Sequence, residues 1–317
     1  MRDLPRFPLI DRPSPFHALP RLSAALGGRV EIWVKREDLL PLAFGGNKLR
    51  NLEFLVGAAV AEGADTLITS GRRWSNHARL TAAAGAKAGL AVELVLSGPP
   101  SAQPGPGVRL ATTLGARIHQ LPTGDRAARQ EEVERVTAFV RAEGGRPYVI
   151  DVGGSGVIGA WGQVLAAREV FAQAAFAKVT IDRIVVAAAT GGTQAGMIVG
   201  ALEATPPAAV TGFVVAHSAA ELRPAIGAML AGLSSSAADR PIDLDDSQLG
   251  AGYGAPTPAA TVATTLLART EGLLVDPIYT AKALAGLIAC VRSGAWDGER
   301  VVFWHAGGLT GLFEPLD

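Results

Sequence analysis

Short apolar runs alternate with stretches of helical period along nearly the whole chain. "EIWVKRE" (31–37), "DTLITS" (65–70), "AVELVLS" (91–97), "ARIHQL" (116–121), "PYVI" (147–150), "DRIVVAAA" (182–189), "VTGFVVA" (210–216) and "ERVVFWH" (299–305) read as strands. Most are continuous apolar runs rather than strict alternations, the pattern of parallel strands covered on both faces. Between them the spacing predicts helices near 48–62, 75–89, 106–115, 126–143, 157–176, 193–204, 218–232, 257–271 and 279–293. In the first of these, Leu49, Leu52, Leu55 and Ala59 share one apolar face. Strand–helix alternation of this kind calls for an α/β fold with parallel sheets. The Pro- and Gly-rich stretch 96–110 reads as a surface loop, and 231–241 as a small, polar, mobile one. No repeat and no long linker stands out. Two α/β lobes packed together are expected, with a site in the cleft between them, outside the carboxyl ends of strands.

Composition narrows the function. The chain has 317 residues, 49% hydrophobic and 18% charged, with 29 basic against 29 acidic side chains. That balance provides no net field for nucleic acid or an acidic membrane. No apolar run is long enough to span a bilayer, and the charged, proline-bearing N-terminus lacks a secretory core. Cys290 is the only cysteine. It excludes an internal disulfide, fits the cytoplasm, and lies in an apolar helical stretch where a buried, inert thiol is expected. The histidines are scattered without metal-ligand spacing, and no G-x-S-x-G elbow occurs. A catalytic metal and a serine hydrolase are both unsupported.

Three short motifs carry candidate chemistry. In "FGGNK", Gly45 and Gly46 permit a backbone closed to other residues, Asn47 is a plausible helix cap, and Lys48 falls in the first turn. A cation there opposes the helix dipole, which lowers the amine's proton affinity and suits a lysine that must be neutral to form a Schiff base. An ordinary solvated lysine after a turn is the structural alternative. In "TSGRRWSNHARL", a strand ending at Ser70 and a turn at Gly71 lead to a helix near Ser75. Ser75, Asn76 and His77 then sit at a helix N-terminus, where an anion such as a carboxylate binds. Simple capping by Ser75 is the alternative. In "AAATGGTQAG", a strand runs into Thr190, Gly191, Gly192, Thr193 and Gln194, a glycine-rich turn suited to a phosphate, with a phosphate-free glycine turn as the alternative. A dinucleotide site would need G-x-G-x-x-G and an acid ending the next strand; the chain has G-G-x-x-x-G and no such acid. A reactive lysine, a lone phosphate cradle and a carboxylate site together suggest pyridoxal phosphate.

With these motifs in hand, the chain resembles the fold-type II pyridoxal-phosphate enzymes, in the group of 1-aminocyclopropane-1-carboxylate deaminase and D-cysteine desulfhydrase. The likeness runs through "VKREDLLPLAFGGNKLRNLEFL", "GADTLITSGRRWSNHARLTAAAGAKAGL", "TGGTQAG", "GYGAPT", "EGLLVDPIYTAKAL" and "HAGGLTGLF", in the family's order. It implies a tryptophan-synthase-β-like fold, with a large cofactor domain at 1–47 and 157–317 and a small domain at 48–156. It also implies a homodimer. Lys48 corresponds to the Schiff-base lysine, and Ser75, Asn76 and His77 to the segment meeting the substrate carboxylate and the ring. Thr190 to Gln194 correspond to the phosphate loop, and Tyr253 and Tyr279 to two active-site tyrosines. Of the chain's 3 tyrosines, two fall in these motifs. Without the resemblance each reads as a half-buried core residue.

A few positions bear on the subgroup. Where the deaminases carry Glu facing the pyridine nitrogen, this chain has Thr280, as the desulfhydrases do. A hydroxyl makes the ring a weaker electron sink, which suits elimination of a good β-leaving group. Ala306 matches neither subgroup and leaves open space. Arg72, Arg73 and Trp74 replace small or apolar residues and Gln. One arginine could hold a second anionic group on the substrate, or both could face solvent or a partner subunit. The expected protein is a cytoplasmic lyase or deaminase acting on a small amino acid, with a D-cysteine-like β-elimination to pyruvate and ammonia in front. Cyclopropane-carboxylate deamination, sulfonate elimination from cysteate and a pathway-specific reaction are alternatives within the family. A Rossmann nucleotide oxidoreductase and a catalytically silent binding protein are the alternatives of other classes.

Overall fold

The computed structural model describes residues 4–98 and 103–314. Its strands form two sheets. The larger has six strands in the order β1 (Phe16–Ala18), β2 (Glu31–Arg36), β10 (Arg300–His305), β7 (Arg183–Ala188), β8 (Ala209–Val214) and β9 (Asp243–Asp245). The smaller has four, in the order β5 (Arg117–Leu121), β4 (Ala91–Ser97), β3 (Thr66–Arg72) and β6 (Pro147–Ile150). Every pairing is parallel except β1 against β2. The two short strands β1 and β9 carry too few apolar residues to signal themselves; one pairs the large sheet's edge through Phe16 and Lys35, the other through Thr211 and Asp243.

The helices are α1 (Pro20–Ala25), α2 (Lys48–Ala61), α3 (Asn76–Ala88), α4 (Pro106–Thr113), α5 (Arg126–Ala142), α6 (Val157–Phe176), α7 (Gly192–Leu202), α8 (Ala219–Leu233), α9 (Pro258–Glu271) and α10 (Thr280–Ser293). Only α1 lacked a periodic signal, being two turns long. The expected loop at 96–110 is shorter than its composition suggests, since Pro106 starts α4, and residues 99–102 lie outside the described segments. The loop expected at 231–241 yields its first residues to α8 and 235–237 to a 3-10 turn. Strand β3 runs through Gly71 to Arg72 rather than ending at Ser70, because the Gly71 backbone keeps pairing with Leu96.

Helix α6 fixes the geometry that matters for the site. A Cβ on Gly162 would lie 1.9 Å from the Arg50 carbonyl of α2, and one on Gly196 of α7 would lie 2.4 Å from the Ala160 carbonyl of α6. Bare glycine surfaces thus let α6 touch the backbones of both α2 and α7, so the starts of those two helices converge. Gln163 of α6 donates to the Asn47 carbonyl (2.8 Å) and to Asn51 Oδ1 (2.6 Å), setting the register of α2. Behind it lies a charged cluster. Arg50 pairs with Glu37 (2.9 Å) and Glu169 (2.7 Å), and the fully buried Lys35 ammonium also meets Glu169. Breaking one partner of such a cluster is costly because it strands the others. Cys290, on α10, is half-buried against the core rather than fully enclosed, and burial raises its thiol pKa. No helix among the described residues is long and apolar enough to cross a membrane.

Candidate active site

The parallel strands of both sheets end at one cavity of about 280 Å³. From the small sheet, β3 leads to Ser75 and β6 to Gly153; from the large one, β7 leads to Thr190 and β10 to Ala306. Helices α2, α3 and α7 start at its wall, so their positive dipole ends and free N–H groups face inward.

Lys48 is the first residue of α2 and lines the cavity. The turn before it is unusual: Ala43, Phe44, Gly45 and Gly46 all have positive φ. Gly45 admits no side chain, since a Cβ would lie 2.2 Å from the Asp38 carbonyl. The buried Arg79 of α3 ties this turn down, donating to the carbonyls of Ala43 and Gly45 and to Asn76 Oδ1 (3.1 Å). Asn47 does not cap α2 with its side chain, contrary to expectation. Its Nδ2 donates instead to Thr193 Oγ1 (2.9 Å), while its N–H donates to the Ala306 carbonyl (2.9 Å). The amide is thereby spent on joining the starts of α2 and α7. Among the described residues the Lys48 amine has no hydrogen bond or ion pair, and burial lowers its pKa from 10.5 to about 8.

At the start of α3, the Ser75 oxygen accepts from the Ala78 N–H (3.2 Å), which leaves its proton free to donate. His77 is buried, and desolvation followed by the Lys48 charge lowers its pKa to about 3. Its tautomer follows from its neighbour. Thr69 spends its one hydroxyl proton on the Ile150 carbonyl (2.7 Å), so at 3.0 Å His77 Nε2 must donate to Thr69. Nδ1 is left as a bare acceptor beside Gly154, without a partner among the described residues.

The turn before α7 is a cradle. Gly191 has φ +84°, and a Cβ there would lie 2.5 Å from Ile226 Cγ1. The first intrahelical bond is donated by Ala195, which leaves the N–H groups of Gly192, Thr193 and Gln194 open. Ser155 Oγ donates to Thr190 Oγ1 (2.6 Å), and Asn47 donates to Thr193. Both threonine hydroxyls have received a hydrogen bond and keep a proton to give. The Gln194 side chain points away, its amide donating to the Asp243 carbonyl (2.6 Å). Gly192 offers only its N–H and is not part of the cavity lining.

On the opposite wall the hydroxyls of Tyr253 and Tyr279 hydrogen-bond to each other, with rings 5.9 Å apart. Burial raises the pKa of both, while Arg72 and Arg129 pull Tyr253 back down. Lys282 holds the Tyr253 loop by donating to the carbonyls of Leu249 (2.8 Å) and Gly252 (3.1 Å). Asp276 caps α10, accepting from the N–H groups of Ile278, Tyr279 and Thr280 and from the Thr280 hydroxyl. Thr280 is fully buried under that carboxylate and does not line the cavity.

Arg72 and Ala306 line the cavity, whereas Arg73 and Trp74 do not. The buried Arg73 guanidinium lies 5.5 Å from the Trp74 ring, and its charge reaches Glu314. Trp74 packs on Tyr253 at 6.1 Å and fills the space over Gly254. The adjacent arginines thus diverge, because successive residues leaving a strand face opposite ways. Sequence reasoning missed Asn47 as a bridge, Ser155, Arg79, and the cavity-lining Arg126 and Arg129. Only the "GGSG" run at 153–156 offered a visible signal.

A family model described as pyridoxal-phosphate dependent enzyme matches residues 8–307. The chain belongs to the pyridoxal-phosphate-dependent enzymes. It is 41% identical over 327 residues to a D-cysteine desulfhydrase of Klebsiella pneumoniae, covering 99% of this chain and 98% of that protein. A D-cysteine desulfhydrase of Salmonella newport is also 41% identical, over 320 residues, covering 98% and 95%. A solved structure described as an ACC deaminase homologue has a TM-score of 0.88 at 33% identity, covering 98% of this chain and 94% of that one. The cofactor is therefore pyridoxal phosphate, and the α/β fold expected of this family holds. The nucleotide oxidoreductase alternative falls. The residues present fit the cofactor: open N–H groups and two proton-bearing hydroxyls for a phosphate, at a turn that a Cβ would fill, share one cavity with an unpaired lysine amine.

Proposed function

We propose that this pyridoxal-phosphate enzyme is a lyase that eliminates the β-substituent of a small amino acid, with D-cysteine or a close analogue giving a thiol, pyruvate and ammonia. The observation that carries the reading is that one cavity joins Lys48, the phosphate-type turn at 190–194, the α3 start and the paired tyrosines. The full-length identity to proteins named D-cysteine desulfhydrase supports the substrate class.

The roles follow from placement. Thr190, Thr193 and the N–H groups of Gly192 to Gln194 would hold the phosphate, and Lys48 would hold the aldehyde end. When bound, the cofactor supplies an electron sink for the bond broken at Cα. Ser75 and Asn76, at the N-terminus of α3, orient the substrate carboxylate. His77, neutral and donating to Thr69, presents Nδ1 as an acceptor. Lys48, with its lowered pKa, is suited to take the Cα proton near neutral pH. Tyr279 stays protonated because burial and Tyr253 raise its pKa, so it can give its proton to the departing sulfur. Loss of that sulfur leaves an enamine, which takes up water to release pyruvate and ammonia. No carboxylate lines the cavity among the described residues, and the Thr280 hydroxyl is committed to Asp276, which supports elimination of a good leaving group over opening of a strained ring.

Placement in the cytoplasm, a homodimer and the division into 1–47 with 157–317 and 48–156 belong to the same proposal. The four-stranded sheet lying wholly within 66–150 supports that division. The test is release of sulfide and pyruvate from D-cysteine, L-cysteine and aminocyclopropane carboxylate by protein supplemented with pyridoxal phosphate. Preferential turnover of D-cysteine is expected. No ketoacid from any of the three, with cofactor bound, would overturn the proposal.

A further inference from the structure

Four cationic side chains line the cavity, Lys48, Arg72, Arg126 and Arg129, while no aspartate or glutamate does among the described residues. The phosphate turn and the α3 start each account for one anion, on other walls. The three arginines are surplus to both.

Their arrangement is unfavourable as it stands. Arg72 ends β3. Arg126 and Arg129 lie three residues apart on one face of α5, where like charges repel. Arg126 is also the first residue of α5, where a cation opposes the helix dipole. Mutual repulsion shows in Arg129: desolvation, then Arg72 and Arg126, lower its pKa. Among the described residues, the carboxylate that acts on Arg129 is that of Asp125, and its Oδ1 already accepts from the Ala128 N–H (2.7 Å) to cap α5. Arg129 donates to Ser97 Oγ (3.1 Å). The Arg72 and Arg126 side chains have no hydrogen bond or ion pair among the described residues. The Arg72 guanidinium lies against Gly124, where a Cβ would stand 2.5 Å from Nη1; the bare backbone makes its room.

We propose that Arg72, Arg126 and Arg129 form a recognition site for a second anionic group, so that beside D-cysteine the cavity binds, and holds more tightly, small amino acids that carry a carboxylate or sulfonate at the end of a short side chain. An oxyacid placed among the three would accept paired hydrogen bonds from planar guanidiniums and relieve their repulsion. This rests on the reading of the cavity as an amino-acid site and goes beyond it by naming a second class of ligand.

The test is calorimetric binding to the protein with pyridoxal phosphate bound, using both enantiomers of cysteate and aspartate against serine and cysteine. At least one anionic side chain should bind tenfold or more tightly than its neutral counterpart, and added sodium chloride should erode the advantage. Aspartate against cysteate separates carboxylate from sulfonate. Arg72→Gln and Arg129→Gln should each remove most of the advantage, and Gly124→Ala should reduce it by displacing Arg72. Where an Arg72 variant does not fold, Arg126→Gln, at an exposed position, carries the test. Equal binding of charged and neutral side chains, or an advantage that survives these substitutions, would overturn the inference and leave the amino-acid site standing. Failure to bind pyridoxal phosphate or any amino acid would overturn the underlying reading and the inference with it.

Discussion

Lys48 places an ammonium in a cavity that no carboxylate lines among the described residues, and the cofactor-free protein should register that cost. Burial lowers the group from 10.5 to about 8. Each tenfold change in proton affinity corresponds to about 1.4 kcal/mol, so the penalty at neutral pH is about 3 kcal/mol as an upper bound. Because the folded pKa lies below the unfolded one, the unfolded chain binds more protons between about 8 and 10.5. The penalty is fully present below that window and fades as pH rises through it. Lys48→Met keeps the length and removes the charge. In urea unfolding of the cofactor-free proteins, the variant should be more stable than wild type at pH ~7 by up to about 3 kcal/mol, shrinking to about 1 kcal/mol near pH ~10. Other titrating groups cancel in the difference. A stability difference that stays constant across this range would refute the reasoning.

Gly191→Ala should force strain at φ +84° and push a methyl into Ile226, weakening pyridoxal phosphate binding by about 5- to 30-fold in an absorbance titration, from the roughly 1–2 kcal/mol of a left-handed alanine. His77, held neutral to about pH 3, binds fewer protons than the unfolded chain's histidine below 6.5, so stability should fall as pH drops from 6.5 toward 3. His77→Gln should flatten that slope in unfolding measurements from pH ~6.5 to ~5. Tyr279→Phe removes the proton held for the leaving group and should lower kcat for D-cysteine by about 10²–10⁴-fold with a smaller change in KM, measured by sulfide release.

The fold was legible because parallel strands buried on both faces leave apolar runs, and the helices between them keep their period. What escaped was what packing decides. β1 and β9 are edge strands too short to carry a pattern, and the continuation of β3 through Gly71 depends on pairing with Leu96. At the site, motifs located Lys48, Ser75 and the turn at 190–194, all on strand-to-helix junctions with glycine or capping chemistry. Asn47 looked like a cap because its type and position suit one; the nearby Thr193 hydroxyl claimed its amide instead. Arg72 and Arg73 were indistinguishable as letters, and only the strand's alternation sends one to the cavity and the other toward Trp74. Arg126 and Arg129 were hidden for a plainer reason. On a mostly polar helix such as α5, charged residues ordinarily mean a solvated face, and nothing local tells which of them look across at β3.

The central claim is that Lys48 carries the cofactor. Borohydride reduction of the purified protein with pyridoxal phosphate, followed by denaturation and peptide mapping, reads it directly. The account predicts the label on the peptide containing Lys48, with a visible absorbance band lost on reduction and absent from Lys48→Ala. A label on another lysine, or none at all on a protein saturated with cofactor, would contradict it.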